Sequence, residues 1–293
     1  MNDEQKPFFS ERFLFFCEKE IELLKQAYEL LEAEFAKCME QIKDDAFLKI
    51  YAKEKHRHSL QVAGAGNYLL RHVRYYQNKS AEFIEMVKTA ILLHDIARFY
   101  EIALLKQNKH IDHGVIGAQM LQNMPLFNDI RIWLPIRHHG HLIEELYADT
   151  EYQKISDMQL QKEVEHICFI IRDADKIANL HMLVNEPDIR LLFLGKEKID
   201  LDIDGKISEM VKSAAFANGT IPRHLITTVA DRALSLLSWY KDINYQGAID
   251  FCDVLHITAK MMQFMADYCR DEGFVQQYKT HLENYLQTHK FIV

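Results

Sequence analysis

Apolar residues recur at steps of three and four over most of the chain. From about Ser10 to Lys43, Phe13, Leu14, Cys17, Ile21, Leu24, Ala27, Leu30, Leu31 and Phe35 follow this spacing, which predicts one or two amphipathic helices. A second helix is predicted from about Asp45 to Tyr76, carrying His56 and His58. A third runs from about Ala81 to Tyr100 and ends in LLHDIARFY, with Ser80 as its cap. Asp112 can cap a short helix that begins HGVIGAQML, and Asn128 can cap another through RIWLPIRHH. Pro135 is expected to distort or shorten the latter, because its ring clashes with the carbonyl one turn back.

After a polar stretch near Tyr147 to Gln161, the run VEHICFIIRDADKIANLHML has a nearly continuous apolar face and reads as a buried helix. From Asp200 to Val293 helical patterns alternate with breaks at Gly205, Gly219 to Pro222, and Gly247. The charged stretch from Lys196 to Asp204 reads as a solvated loop, and Trp239, Tyr240, Tyr245 and Phe251 read as packing residues. Repeats, low-complexity tracts and linkers are lacking, so one all-α domain over residues 1–293 is expected. Only 10 glycines and 5 prolines among 293 residues support that class, since sheets joined by tight turns consume both.

The net charge of −8 repels phosphate backbones and anionic lipid, so neither nucleic acid nor membrane is expected as a partner. A small anionic substrate stays open, because a local cluster of cations reverses the field inside a pocket. Five scattered cysteines, the lack of a basic signal-like start and the lack of a long apolar run lead us to expect a cytoplasmic protein.

His58, His94, His113 and His139 each fall on a different predicted helix or helix start, so folding could bring them to one point. Asp95 follows His94 directly. Asp175 lies in an apolar helix, where an ionised carboxylate is costly unless a cation, a salt bridge to Arg172 or a hydrogen-bond network compensates it. Imidazole and carboxylate together suit divalent Mn, Fe, Co, Ni or Zn better than Ca, and six such groups are enough for two ions. On a continuous helix, Asp95 would bridge both ions beside His94, and Arg98 would project from the same face one turn on. Gly64 and Gly66 lack the strand and third glycine of a dinucleotide fingerprint, so close helix packing explains them better.

In order along the chain stand His58, HDIAR from His94 to Arg98, HGVIGA from His113, IRHHG from Ile136 and DADKI from Asp173. This series resembles the HD-domain superfamily over roughly Lys55 to Leu180. The resemblance implies a helical bundle in which His58, His94, Asp95 and Asp175 hold one ion and His113 and His139 add a second. Simple members lack the two middle histidines and use one ion. By the same resemblance Asp175 is preferred over Asp173, and His139 over His138, with His138 kept as a replacement, a supporting partner or a substrate contact. Asp95 and Arg98 take the catalytic roles, and Arg98 and Lys176 are candidate contacts to substrate phosphate, as is Arg137.

What the resemblance implies as activity is a metal-dependent phosphomonoesterase or phosphodiesterase acting on a nucleotide or other small phosphorylated metabolite. The HHE and GYP extension of cyclic-dinucleotide phosphodiesterases is missing, as is the Glu-Asp pair of alarmone hydrolases, since Arg98 and Phe99 stand there. Two competing readings share the ligand set: a di-iron oxygenase of HD type, and a non-catalytic module that binds metal or nucleotide. The helices beyond the motifs are equally compatible with completing the pocket and with forming the surface of a homo-oligomer.

Overall fold

The computed structural model describes residues 22–107, 109–186, 205–217 and 219–293. The expected helical start at Ser10 to Ile21 and the expected loop at Lys196 to Asp204 lie outside the described residues. Within them the chain forms fourteen α-helices and no strand; one isolated parallel bridge joins Tyr245 to Ile292. None of these helices is long and apolar enough to cross a membrane. The all-α class expected from the pattern is the one observed.

Two compact units are distinguished where one domain was expected, the first ending at Asp175 and the second beginning at Lys176. In the first, α1 (Glu22–Gln41) packs against α3 (Ala81–Leu92) and α4 (Arg98–Leu105), and α2 (Ala46–His72) packs against the same two. Gly66 allows the α2 to α3 approach, since a Cβ there would stand 2.7 Å from Ile91 Cδ1. α5 (His113–Gln122) lies along α6 (Ile130–His138), which also meets α3. The short α7 (Ile143–Ala148) and α8 (Thr150–Gln153) lead into α9 (Met158–Asn185), which is nearly all buried from Val164 onward.

Several starts are fixed by side chains that take up the unpaired N–H groups of a first turn. Asp45, Ser80 and Asp112 accept from Leu48 N, Phe83 N and Val115 N. The cap of α6 is Asp129, which accepts from Arg131 N at 2.8 Å, not the neighbouring Asn128. Pro135 does not cut α6 short; the helix continues to His138, three residues beyond it.

The expected helix from Ala81 to Tyr100 is two helices. α3 ends at Leu92, and residues 93–97 follow a series of tight turns before α4 begins at Arg98. Backbone bonds from Ile96 N to Leu93 O (3.0 Å) and from Arg98 N to Asp95 O (2.8 Å) replace the helical pattern.

In the second unit, α10 (Glu209–Ala215) is followed by α11 (Val229–Leu237), α12 (Gln246–Val254), α13 (Ile257–Tyr268) and α14 (Glu272–Thr288). Asp231 closes a capping box with Thr228. Gly205 and Gly219 adopt positive φ (74° and 98°), as breaks there require, whereas Gly247 lies in the first turn of α12 and breaks nothing. Tyr240, Tyr245 and Phe251 are fully buried, the packing role expected of them.

Candidate metal centre

His94 occupies the second position after the end of α3, and its Nδ1–H donates to Ile91 O at 2.9 Å. His139 stands at the end of α6, and its Nδ1–H donates to Ile136 O at 2.7 Å. The same device is used twice: an imidazole donates to the backbone carbonyl three residues earlier, at a helix C-terminus. Because a carbonyl can only accept, Nδ1 carries the proton in both rings, and each neutral ring has its bare lone pair at Nε2. Metal-binding histidines are oriented by bonds of this kind.

Those two nitrogens point into a cluster of acceptors. His94 Nε2 lies 3.8 Å from Asp95 Oδ2 and 3.8 Å from Asp175 Oδ1, and among the described residues it has no hydrogen-bond partner although fully buried. His58, on α2, reaches Asp175 Oδ1 with its Nε2 at 2.8 Å. His139 Nε2 lies 3.5 Å from Asp95 Oδ1 and 3.2 Å from His113 Nε2, and His113 Nε2 is 3.1 Å from the same Asp95 oxygen. His58, His94 and Asp95 thus bring ligand atoms within 4.8 Å of one another, as do Asp95, His113 and His139. Asp95 belongs to both groups.

Glycine makes the second group possible. A Cβ on Gly114 would stand 2.7 Å from Arg137 O and 3.1 Å from Ile136 O, so only its absence lets the start of α5 approach the end of α6. That approach brings His113, the first residue of α5, against His139.

Burial lowers the pKa of His58 and His113 and takes His94 down to about 4, which keeps the rings neutral; His94 keeps a bare Nε2, whereas His58 Nε2–H donates to Asp175 and His113 Nε2 accepts from Arg98. Burial alone would push Asp95 up, but Arg98, Lys55 and the neighbouring histidines hold its carboxyl well below the usual range. The same contest at Asp175 is decided by its bond from His58, again downward. Neutral imidazoles facing ionised carboxylates, with bare Nε2 atoms on His94 and His139 turned toward Asp95, are compatible with a borderline divalent cation.

Two basic groups flank the cluster. Arg98 Nη2 lies 2.7 Å from His113 Nε2 and 3.5 Å from Asp95 Oδ1, while its Nη1 donates to Glu101 Oε2 at 2.5 Å. Lys55 Nζ is 3.5 Å from Asp95 Oδ2. Sequence reasoning missed Lys55 and Glu101. Each sits three residues from a residue it did select, His58 and Arg98, and that helical spacing was the available signal.

All six residues selected as ligands are brought together. His138 is not among them: its Nε2 pairs with Asp149 Oδ2 at 2.8 Å, and Arg137 Nη1 holds the same oxygen at 3.0 Å. Neither is poised as a free phosphate contact. Lys176 Nζ is ion-paired with Asp242 at 2.9 Å. Beside the second group opens a cleft of about 300 Å³, lined by Asp112, His113, Arg137, His139 and His141 among others. His141 joins neither group; its Nε2 pairs with Asp112 Oδ2 at 2.8 Å.

The HD domain family model matches residues 56–180, a span that holds all six clustered residues. No curated protein and no solved structure matches the chain. HD domains form a superfamily of metal-dependent hydrolases, and the histidine and aspartate groups described above are compatible with metal binding. The motif order, the helical fold and this match together make residues 56–180 similar to HD domains, over less than half of the chain.

Proposed function

We propose that the chain is a metal-dependent phosphohydrolase with a two-cation centre, acting on a nucleotide or another small phosphorylated metabolite. One observation carries this reading: Asp95 turns Oδ2 toward the bare Nε2 of His94 and Oδ1 toward the Nε2 atoms of His113 and His139. In this reading Asp95 would offer one carboxylate oxygen to each cation. His58 and Asp175 complete the first position, and His113 and His139 the second.

Divalent cations bound there would supply Lewis acidity toward phosphate oxygens and lower the pKa of a bound water, which can then give up its proton and attack phosphorus as hydroxide. The chain's own groups do the rest. His94 and His139 are locked by their Nδ1 bonds, so their lone pairs need not reorganise when charge develops. Arg98 presents N–H donors and a fixed positive charge to a phosphate oxygen, and Lys55 adds a second charge from α2. The cleft beside His113 and His139 gives a phosphorylated substrate access to the second position.

The test is phosphate release from a panel of phosphorylated metabolites, assayed with Mn, Co, Zn and Fe. Wild-type protein is expected to turn over at least one compound, and Asp95→Asn to lose about a thousandfold or more in kcat with its helical circular dichroism unchanged. Iron-loaded protein that consumes oxygen while releasing no phosphate would reject hydrolysis in favour of a di-iron oxygenase.

A further inference from the structure

The guanidinium of Arg98 shares the acceptors that would hold a second cation. Its Nη2 is 2.7 Å from His113 Nε2 and 3.5 Å from Asp95 Oδ1, two of the three atoms that form the second group. The third, His139 Nε2, is 3.2 Å from that same His113 nitrogen. By contrast the first group has no guanidinium in it: His94 Nε2 is without a partner, and the nearby cation, Lys55, stands off the other Asp95 oxygen at 3.5 Å. The two groups are alike in ligand chemistry and unlike in what already sits among them.

We infer that Arg98 is the resident cation of the second position and that a second divalent ion must displace it from His113 and Asp95. The physical argument is competition for lone pairs. A nitrogen of an imidazole has one lone pair, and it cannot accept from a guanidinium N–H and coordinate an ion at the same time. Arg98 therefore has two places to be. With one ion bound, it neutralises Asp95 and satisfies His113. With two, it is released from both while Nη1 stays anchored on Glu101, leaving a donor edge free for an anion.

The consequence is stepwise loading. Filling the first position loosens only the 3.5 Å contact of Lys55 with Asp95 Oδ2 and the bond of His58 to Asp175, with no guanidinium on a ring nitrogen, whereas the second requires the 2.7 Å bond of Arg98 to His113 to break. An anion that accepts from the displaced guanidinium favours the second ion, and by linkage the second ion favours the anion to the same degree. Metal occupancy and phosphate binding thereby become coupled through one side chain.

This rests on the two-cation reading above, and metal titration separates the two. Mn(II) binding to the whole chain is measured by equilibrium dialysis for wild type, Arg98→Met, Arg98→Gln and Lys55→Met, with helical circular dichroism as the fold check. Either Arg98 variant is expected to bind the second ion about ten- to a hundredfold more tightly than wild type, the size of one lost charge-assisted bond. Lys55→Met removes a charge equally near Asp95 but one that occupies neither His113 nor His139, so it should tighten the second ion far less. In wild type, inorganic phosphate should strengthen second-ion binding, and it should do so much less in Arg98→Met. Equal second-ion affinity in wild type and both Arg98 variants overturns the inference and leaves two cations standing. An increase in Lys55→Met as large as that in Arg98→Met also overturns it, since mere charge removal would then explain both. A single ion in every variant overturns the inference and the two-cation reading together.

Discussion

Single atoms carry much of the account, and His166 shows how one can be tested apart from the metal centre. Its ring stacks on Tyr75 with centroids 3.5 Å apart, and burial, with Lys162 and Lys79 nearby, lowers its pKa to about 4. In the unfolded chain the same ring takes up a proton near the ordinary value of 6.5. Between these values the unfolded state binds more protons, so stability is lost as pH falls from about 6.5 toward 4. The unfolding free energy measured in denaturant should fall by roughly 1 kcal/mol per pH unit from this group. His166→Phe should show a shallower fall by about that amount; an unchanged slope would contradict the neutral buried ring.

Gly114 offers a second test at the same scale. A methyl group there meets the backbone oxygen of Arg137 at 2.7 Å, and backbone cannot swing aside as a side-chain tip can. Gly114→Ala is expected to lower stability by about 1 to 3 kcal/mol in thermal or denaturant unfolding. It should also weaken the binding of whichever cation depends on His113 and His139, while sparing the position built from His58, His94 and Asp175. Loss of both positions to the same degree would mean that α5 and α6 are not brought together by this glycine.

At the scale of helices, what could be read from the chain depended on where the deciding contact lies. α2, α3, α5 and α9 were legible because their apolar spacing and the cap residues Asp45, Ser80 and Asp112 are local properties. The break at residues 93–97 was not. LLHDIARFY keeps an apolar helical spacing and contains neither Gly nor Pro, and the turn is tied by the bond from the His94 ring to Ile91 O. At α6, Asn128 and Asp129 are both competent caps standing side by side, so the one-residue shift carried no sequence signal. The break also changes how the ligands are displayed. His94 and Asp95 reach their positions from successive tight turns, not from adjacent steps of one helix, and Arg98 enters as the first residue of α4.

That these six residues cluster was readable because motif order linked segments as far apart as His58 and Asp175, which lie 2.8 Å apart in the fold. His138 against His139 could not be decided by spelling alone. The structure separates them by direction, one toward Asp149 and the other toward Asp95. Lys176 was chosen for its place beside Asp175, but successive residues of a helix point about 100° apart, and its ammonium pairs with Asp242.

For the whole molecule, a net charge of −8 and a site holding two ionised carboxylates would repel a phosphate ester. Only cations gathered at one place reverse that field, and the second unit, beginning at Lys176, contributes none of the six clustered residues. Cation stoichiometry is therefore the decisive quantity. Metal content after equilibration with Mn(II) and gel filtration, measured by plasma emission spectrometry, should give two ions per chain in wild type and a loss at both positions in Asp95→Ala. One ion or fewer per wild-type chain at saturating Mn(II), or undiminished binding in Asp95→Ala, would contradict a centre built around that shared carboxylate.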